Sequence, residues 1–190
     1  MTDLDRVRAT LGETADLHRQ VAEREAATIV RAAALMRDAF LAGRQVLVFG
    51  NGGSATDAQH FAAELVGVFE TKRRGWPVVA LTADSAVVTS IANDLGFEQL
   101  YARQVEALGR PGDVALGIST SGGSVNVNLG LRRAREIGLH TVGLTGRSGG
   151  ETATLVDVHV NVPGTSSARV QEVHRTILHV ICQLIEAASA

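Results

Sequence analysis

Five short runs of apolar, largely β-branched residues recur along the chain, separated by stretches with helical spacing. The runs are QVLVF at 45–49, PVVALT at 77–82, DVALGIS at 113–119, HTVGLT at 140–145 and DVHVNV at 157–162. Most are apolar at consecutive positions, the pattern of strands covered on both faces. Helical spacing marks 54–68, 84–108, 124–137 and 149–155, with a long final helix at 168–188. Ahead of the first strand, Leu17, Val21, Ile29, Ala33, Met36 and Phe40 predict one or two helices within 1–43, with Gly43 as the stop. Strand and helix therefore alternate. The expected fold is α/β, a three-layer doubly wound sandwich with a five-stranded parallel sheet flanked by helices, in one domain over 1–190 with its core at 44–190. Ligands in such a sheet bind beyond the carboxyl ends of the strands.

At 190 residues, one domain accounts for the whole chain. The net charge of −2 argues against a nucleic-acid partner or an acidic membrane surface. No window approaches the ~18 uninterrupted apolar residues of a membrane span. The opening MTDLDRVRATLGETADLHRQ carries charge throughout and lacks the ~7–15-residue apolar centre of an export signal. The one cysteine, Cys182, cannot form an internal disulfide and lies in an apolar helical run, where core packing is its expected role. A cytoplasmic location is expected.

Two glycine-rich turns follow predicted strands. In GNGGSATDAQHFAAEL, residues 50–65, a strand runs through Gly50, Asn51, Gly52, Gly53 and Ser54 into a helix, aiming backbone N–H groups and the positive helix end at one spot. Gly50, Gly52 and Ala55 also satisfy a G-x-G-x-x-A dinucleotide fingerprint. Its acidic partner ~20 residues on is not cleanly supplied, because Asp84 lies well past that spacing. In GISTSGGSVNV, Ser119, Thr120, Ser121 and Ser124 crowd hydroxyls at a helix start. Capping by Ser121 or Ser124 explains one of them. A phosphate monoester engages several hydroxyls and N–H groups together, which favours phosphate binding.

His60 and Glu64 stand at (i, i+4) on the first of these helices and share a face. The final helix carries Gln171, His174 and His179. His174 reads as a satisfied, partly buried residue; His179, between TIL and VIC, requires a polar partner. Asn93 and Asp94 read, on local grounds alone, as helix-end residues.

GNGGSATDAQHFAAEL, IAND, GISTSGGS, LTGRSGG and RVQEVH…LH together resemble the sugar isomerase family and, within it, the phosphoheptose isomerases, over nearly the whole chain. The resemblance implies an aldose–ketose isomerase that converts sedoheptulose 7-phosphate to a heptose 7-phosphate through an enediol. It implies sugar contacts at Asn51, Gly52, Gly53, Ser54, Asn93 and Asp94, a phosphate loop of Ser119, Thr120, Ser121 and Ser124, and zinc ligands at His60, Glu64, Gln171 and His179. Glu64 and His179 match the acid/base pair, and Glu64 and Gln171 also match substrate-contacting positions. Two departures stand out: Gly123 where many relatives have asparagine, and Ala168 where many have aspartate. Non-catalytic paralogues that bind the replication initiator DnaA lack the acid/base side chains, whereas this chain keeps both.

A homo-oligomer, a tetramer by the resemblance, is expected to share its active sites between subunits. Gln171 and His179 lie eight residues apart, ~12 Å of helix rise and ~80° of rotation, so a neighbouring chain is expected to supply part of one metal set.

Overall fold

The computed structural model describes residues 1–188. Five parallel strands, β1 (Val46–Gly50), β2 (Val78–Ala80), β3 (Val114–Ser119), β4 (His140–Gly146) and β5 (Val158–Val162), form one sheet in the order β2-β1-β3-β4-β5. The helices are α1 (Asp3–Leu41), α2 (Gly53–Val66), α3 (Ser85–Asp94), α4 (Leu100–Leu108), α5 (Val125–Glu136), α6 (Thr152–Leu155) and α7 (Ser167–Ala187).

Alternation along the strands builds two cores. Val46, Val48, Leu116, Ile118, Leu144 and Val160 pack under α1, α2 and α7. Leu47, Phe49 and Ala115 point the other way, against Tyr101 and Val105 of α4 and Val127 and Leu131 of α5. Such two-sided burial is what consecutive apolar positions require, each fully buried aliphatic side chain contributing ~1.5–3 kcal/mol.

The N-terminal segment is one helix of 39 residues. A capping box starts it, with Asp5 N–H on the Thr2 hydroxyl and Thr2 N–H on the Asp5 carboxylate. The stretch 84–108, read as one helical run, is broken: Gly96 takes φ 93, a left-handed turn that ends α3's path and redirects the chain through a 3-10 turn, Phe97–Gln99, into α4. Asp84 caps α3, accepting from Ala86 and Val87 N–H at 2.9 and 3.1 Å, so it is spent on the helix start rather than held out for a ribose.

The chain leaves β1 toward β2 and returns to β3 on β1's other side. That reversal is a topological switch point, and it sets the turns after β1 and β3 next to each other, with Gly50 paired to Ile118.

Candidate active site

The turn after β3 is lined with hydroxyls. Ser119 Oγ lies 2.9 Å from Ser124 Oγ and 3.4 Å from Ser121 Oγ. Gly122 N–H donates to Ser119 Oγ at 3.1 Å and Gly123 N–H to Ser121 Oγ at 3.2 Å. Thr120 donates to Ser167 Oγ at 3.3 Å, tying the turn to the start of α7. Ser124 does stand at the N-cap of α5 but makes no capping bond, so capping does not account even for that serine. The arrangement suits an anion with several acceptor oxygens.

The neighbouring turn enters α2 through Gly52, with φ 57 and no side-chain cap. Asn51 and Asn126 of α5 exchange reciprocal amide hydrogen bonds at 2.8 and 2.9 Å, and the Tyr101 hydroxyl donates to Asn51 Oδ1 at 3.2 Å. Burial pushes that phenol up to about 12, against the opposing bond to the Gly50 carbonyl, so it remains a donor. Both ends of the Asn51 amide are thus engaged within the protein, which assigns it first to holding the two turns together. Asn126 and Tyr101 were missed in the sequence; the VNV segment and the one tyrosine gave no local sign of this bond.

Helices α2 and α7 lie side by side, and their facing residues form a ladder. A Cβ at Gly53 would stand 2.7 Å from the Gln171 amide. Next, Arg175 donates to buried Asp57 at 2.8 Å, and beyond them His60 Nε2 lies 2.7 Å from His179 Nε2 and 3.3 Å from Glu64 Oε1. The polar partner required by His179 is therefore His60. Ligand atoms of His60, Glu64 and His179 all fall within 4.8 Å of one another. Burial and the Arg175 charge push His60 below its ordinary range, keeping it neutral. Phe69 covers the far side, its ring centroid 5.6 Å from that of His179.

Glu64 and His179 meet within one chain, so a neighbouring chain is not needed to pair them. Gln171 of the same chain stands apart from this cluster, as its eight-residue spacing from His179 predicts: it sits over Gly53, two turns earlier on α7. Asn93 and Asp94 end α3, exposed and hydrogen-bonded to each other at 2.6 Å; the described structure records no bond from either to another candidate. Ser54 is buried and Ala168 exposed.

His174 is fully buried rather than partly so; its Nε2 donates to the Thr145 carbonyl at 2.9 Å while its Nδ1 has no hydrogen-bond partner, so the satisfied reading holds for one ring nitrogen. Cys182 is fully buried, and burial pushes its thiol up to about 12, consistent with packing rather than reactivity.

A family model described as SIS domain matches residues 11–146. The chain is 53% identical over 165 residues to a phosphoheptose isomerase of Geobacter sulfurreducens, covering 86% of this chain and 87% of that one. It is 47% identical over 183 residues to a phosphoheptose isomerase of Aquifex aeolicus, covering 96% of each. Its structure superposes on phosphoheptose isomerase GmhA from Neisseria gonorrhoeae with a TM-score of 0.93 at 41% identity, covering 98% of this chain and 100% of that one. A parallel sheet with a hydroxyl-lined turn at its switch point is thus the frame of a sugar isomerase, and the chain belongs to the SIS-domain family. Within that family it groups with the phosphoheptose isomerases.

Proposed function

We propose that this chain catalyses the isomerisation of sedoheptulose 7-phosphate to a heptose 7-phosphate, a proton moving between C1 and C2 through a cis-enediol. The convergence of Glu64 and His179 beside His60 carries the reading, because the reaction needs a base at carbon and a proton donor at oxygen within reach of each other. Glu64 is the base that moves the proton between the carbons. His179 delivers a proton to the carbonyl or ring oxygen. The Ser119–Ser124 turn holds the phosphate, whose binding energy fixes the reacting end of the sugar. A non-catalytic, partner-binding use has no observation in its favour.

Two imidazoles and one carboxylate, with their ligand atoms 2.7 and 3.3 Å apart around His60, fit a zinc ion, whose tetrahedral ligands at ~2.0 Å stand ~3.3 Å from each other. Neutral His60 suits the same role. Bound there, one zinc per site would polarise the carbonyl and enediol oxygens. His60, Glu64 and His179 would hold it; Gln171 of the same chain would not.

We also propose a homo-oligomer, a tetramer, with shared sites. The α1–α7 face is an apolar groove lined by Val21, Ile29, Val30, Ile177, Val180 and Leu184, and Leu4, Val7 and Leu11 stand exposed on the first turns of α1. Eleven residues of α2 separate Gly53 from Glu64, ~16 Å of rise. A seven-carbon sugar phosphate stretches poorly over that run, so the turn of one subunit meeting the cluster of a neighbour is the better arrangement. The enzyme is cytoplasmic in this reading, and no described helix is long and apolar enough to cross a membrane.

Incubation with sedoheptulose 7-phosphate, with the product identified by NMR, tests the activity; no conversion by folded, zinc-supplemented protein would refute it. Chelation followed by elemental analysis tests the metal. Full turnover by zinc-free enzyme would remove it from the chemistry.

A further inference from the structure

Two polar side chains buried behind the hydroxyl-lined turn have no part in the chemistry above. Thr152, at the start of α6, and Asn128, in the second turn of α5, are 0% and 1% exposed. Burying a hydroxyl and an amide is unfavourable unless each finds a partner. The partners here converge on one backbone group, the Gly122 carbonyl. It accepts from Thr152 N–H at 3.0 Å and from the Thr152 hydroxyl at 2.9 Å, with Asn128 Nδ2 more distant at 3.4 Å. The single Thr152 hydroxyl hydrogen is shared between that carbonyl and Asn128 Oδ1, which lies 2.7 Å away, and Asn128 Nδ2 donates to Glu151 Oε2 at 2.8 Å, a carboxylate also paired with Arg132.

Anchoring this carbonyl has a geometric consequence on its other side. The Gly122–Gly123 peptide is trans, so its C=O and N–H point in opposite directions. With the oxygen drawn inward to Thr152, the Gly123 N–H is turned outward, where Ser121 Oγ receives it at 3.2 Å and where residue 123 is exposed. Gly122 holds φ +65, and a Cβ there would overlap the Gly149 carbonyl, so the turn is pressed directly onto the loop that leads into Thr152.

We propose that Thr152, supported by Asn128, is a positioning residue for the phosphate: by holding the Gly122 carbonyl inward it keeps the Gly123 N–H aimed at the anion. This deepens the phosphate-loop reading and rests on it. The device lies behind the turn and touches neither sugar nor acid/base cluster. It therefore governs anion affinity and leaves the proton transfer alone.

The test compares wild type, Thr152→Val and Thr152→Ser for inorganic phosphate binding, followed by calorimetry, and for KM and kcat with the phosphosugar. Valine keeps the shape and the backbone N–H and removes only the hydroxyl. Thr152→Val is expected to weaken phosphate binding and raise KM, each roughly five- to tenfold, the order of one neutral hydrogen bond lost behind the turn, with kcat within about twofold. Thr152→Ser should restore both. Asn128→Leu is a second cut, expected to act in the same direction if the valine variant does not fold. Wild-type affinity for phosphate in folded Thr152→Val or Asn128→Leu, whatever the change in melting temperature, would overturn the proposal, as would a serine variant as weak as valine. Wild-type protein with no affinity for phosphate would instead overturn the phosphate-loop reading itself.

Discussion

The hydroxyl-lined turn and the His60–Glu64–His179 cluster are held in place by different means. Around the turn, nearly every polar group is fixed by another: Ser119 by Ser124, the Gly122 carbonyl by Thr152, Asn51 by Asn126 and Tyr101. Binding at such a place costs little reorganisation. The cluster has no comparable inner support. Its three half-exposed side chains are positioned by two rigid helices and contact chiefly one another, with Phe69 alongside. One region is built to hold still, the other to leave its groups free for proton transfer or a metal.

That contrast is tested most severely by removing one cluster group at a time. Glu64→Gln and His179→Gln are each expected to lower turnover by at least ~10²-fold, the usual worth of an acid/base group, while inorganic phosphate still binds with wild-type affinity. Near-normal turnover in either variant would remove that residue from the chemistry. Loss of phosphate binding alongside turnover would show that the two regions are not separable.

Subunit mixing sharpens the comparison by asking whether the two regions of one site belong to one chain. Ser121→Asp puts a carboxylate where the phosphate should sit, and His179→Gln disables the cluster. Each alone should be inactive. If sites are shared, a 1:1 mixture after subunit exchange should recover roughly a quarter of wild-type activity, the random-pairing fraction. Mixing Glu64→Gln with His179→Gln should recover none, because both belong to one cluster. Recovery in the second mixture, or none in the first despite demonstrated exchange, would reverse the assignment.

The same contrast explains what could be read from the sequence. The turn was legible because its features are local: a strand, glycines and four hydroxyls within six residues. The sheet was legible for a similar reason, since two-sided burial leaves unbroken apolar runs. His60 and Glu64 were visible as an (i, i+4) pair, but their meeting with His179 depends on how α2 and α7 pack, a contact across 119 residues. The separation of Gln171 from His179 was legible from their spacing on one helix, whereas Gln171's neighbour Gly53 was not. Asp57, Asn126, Asn128 and Thr152 are ordinary polar residues whose importance appears only when burial removes water as their alternative partner.

The smallest expected effect concerns a joint behind both regions. His174 links α7, which carries His179, to the end of β4 through the Thr145 carbonyl, and its Nδ1 is buried without a hydrogen-bond partner. Burial pushes its pKa to about 4, with the Thr145 bond and the Asp57 charge opposing, so the ring is neutral in the folded protein at neutral pH. An unfolded histidine titrates near ~6.5. Between these values the unfolded chain binds the proton and the folded one does not, so stability is complete above ~6.5 and declines as pH falls toward about 4. His159, half-buried and in contact with the Thr145 hydroxyl at 2.7 Å, is also pushed down by burial and adds a slope of the same sign. His174→Gln keeps a donor for Thr145 without a titrating ring. Its melting temperature should therefore fall less steeply than wild type from pH 6.5 to 4.5, with some slope remaining from His159. Parallel curves would show that His174 does not carry this dependence.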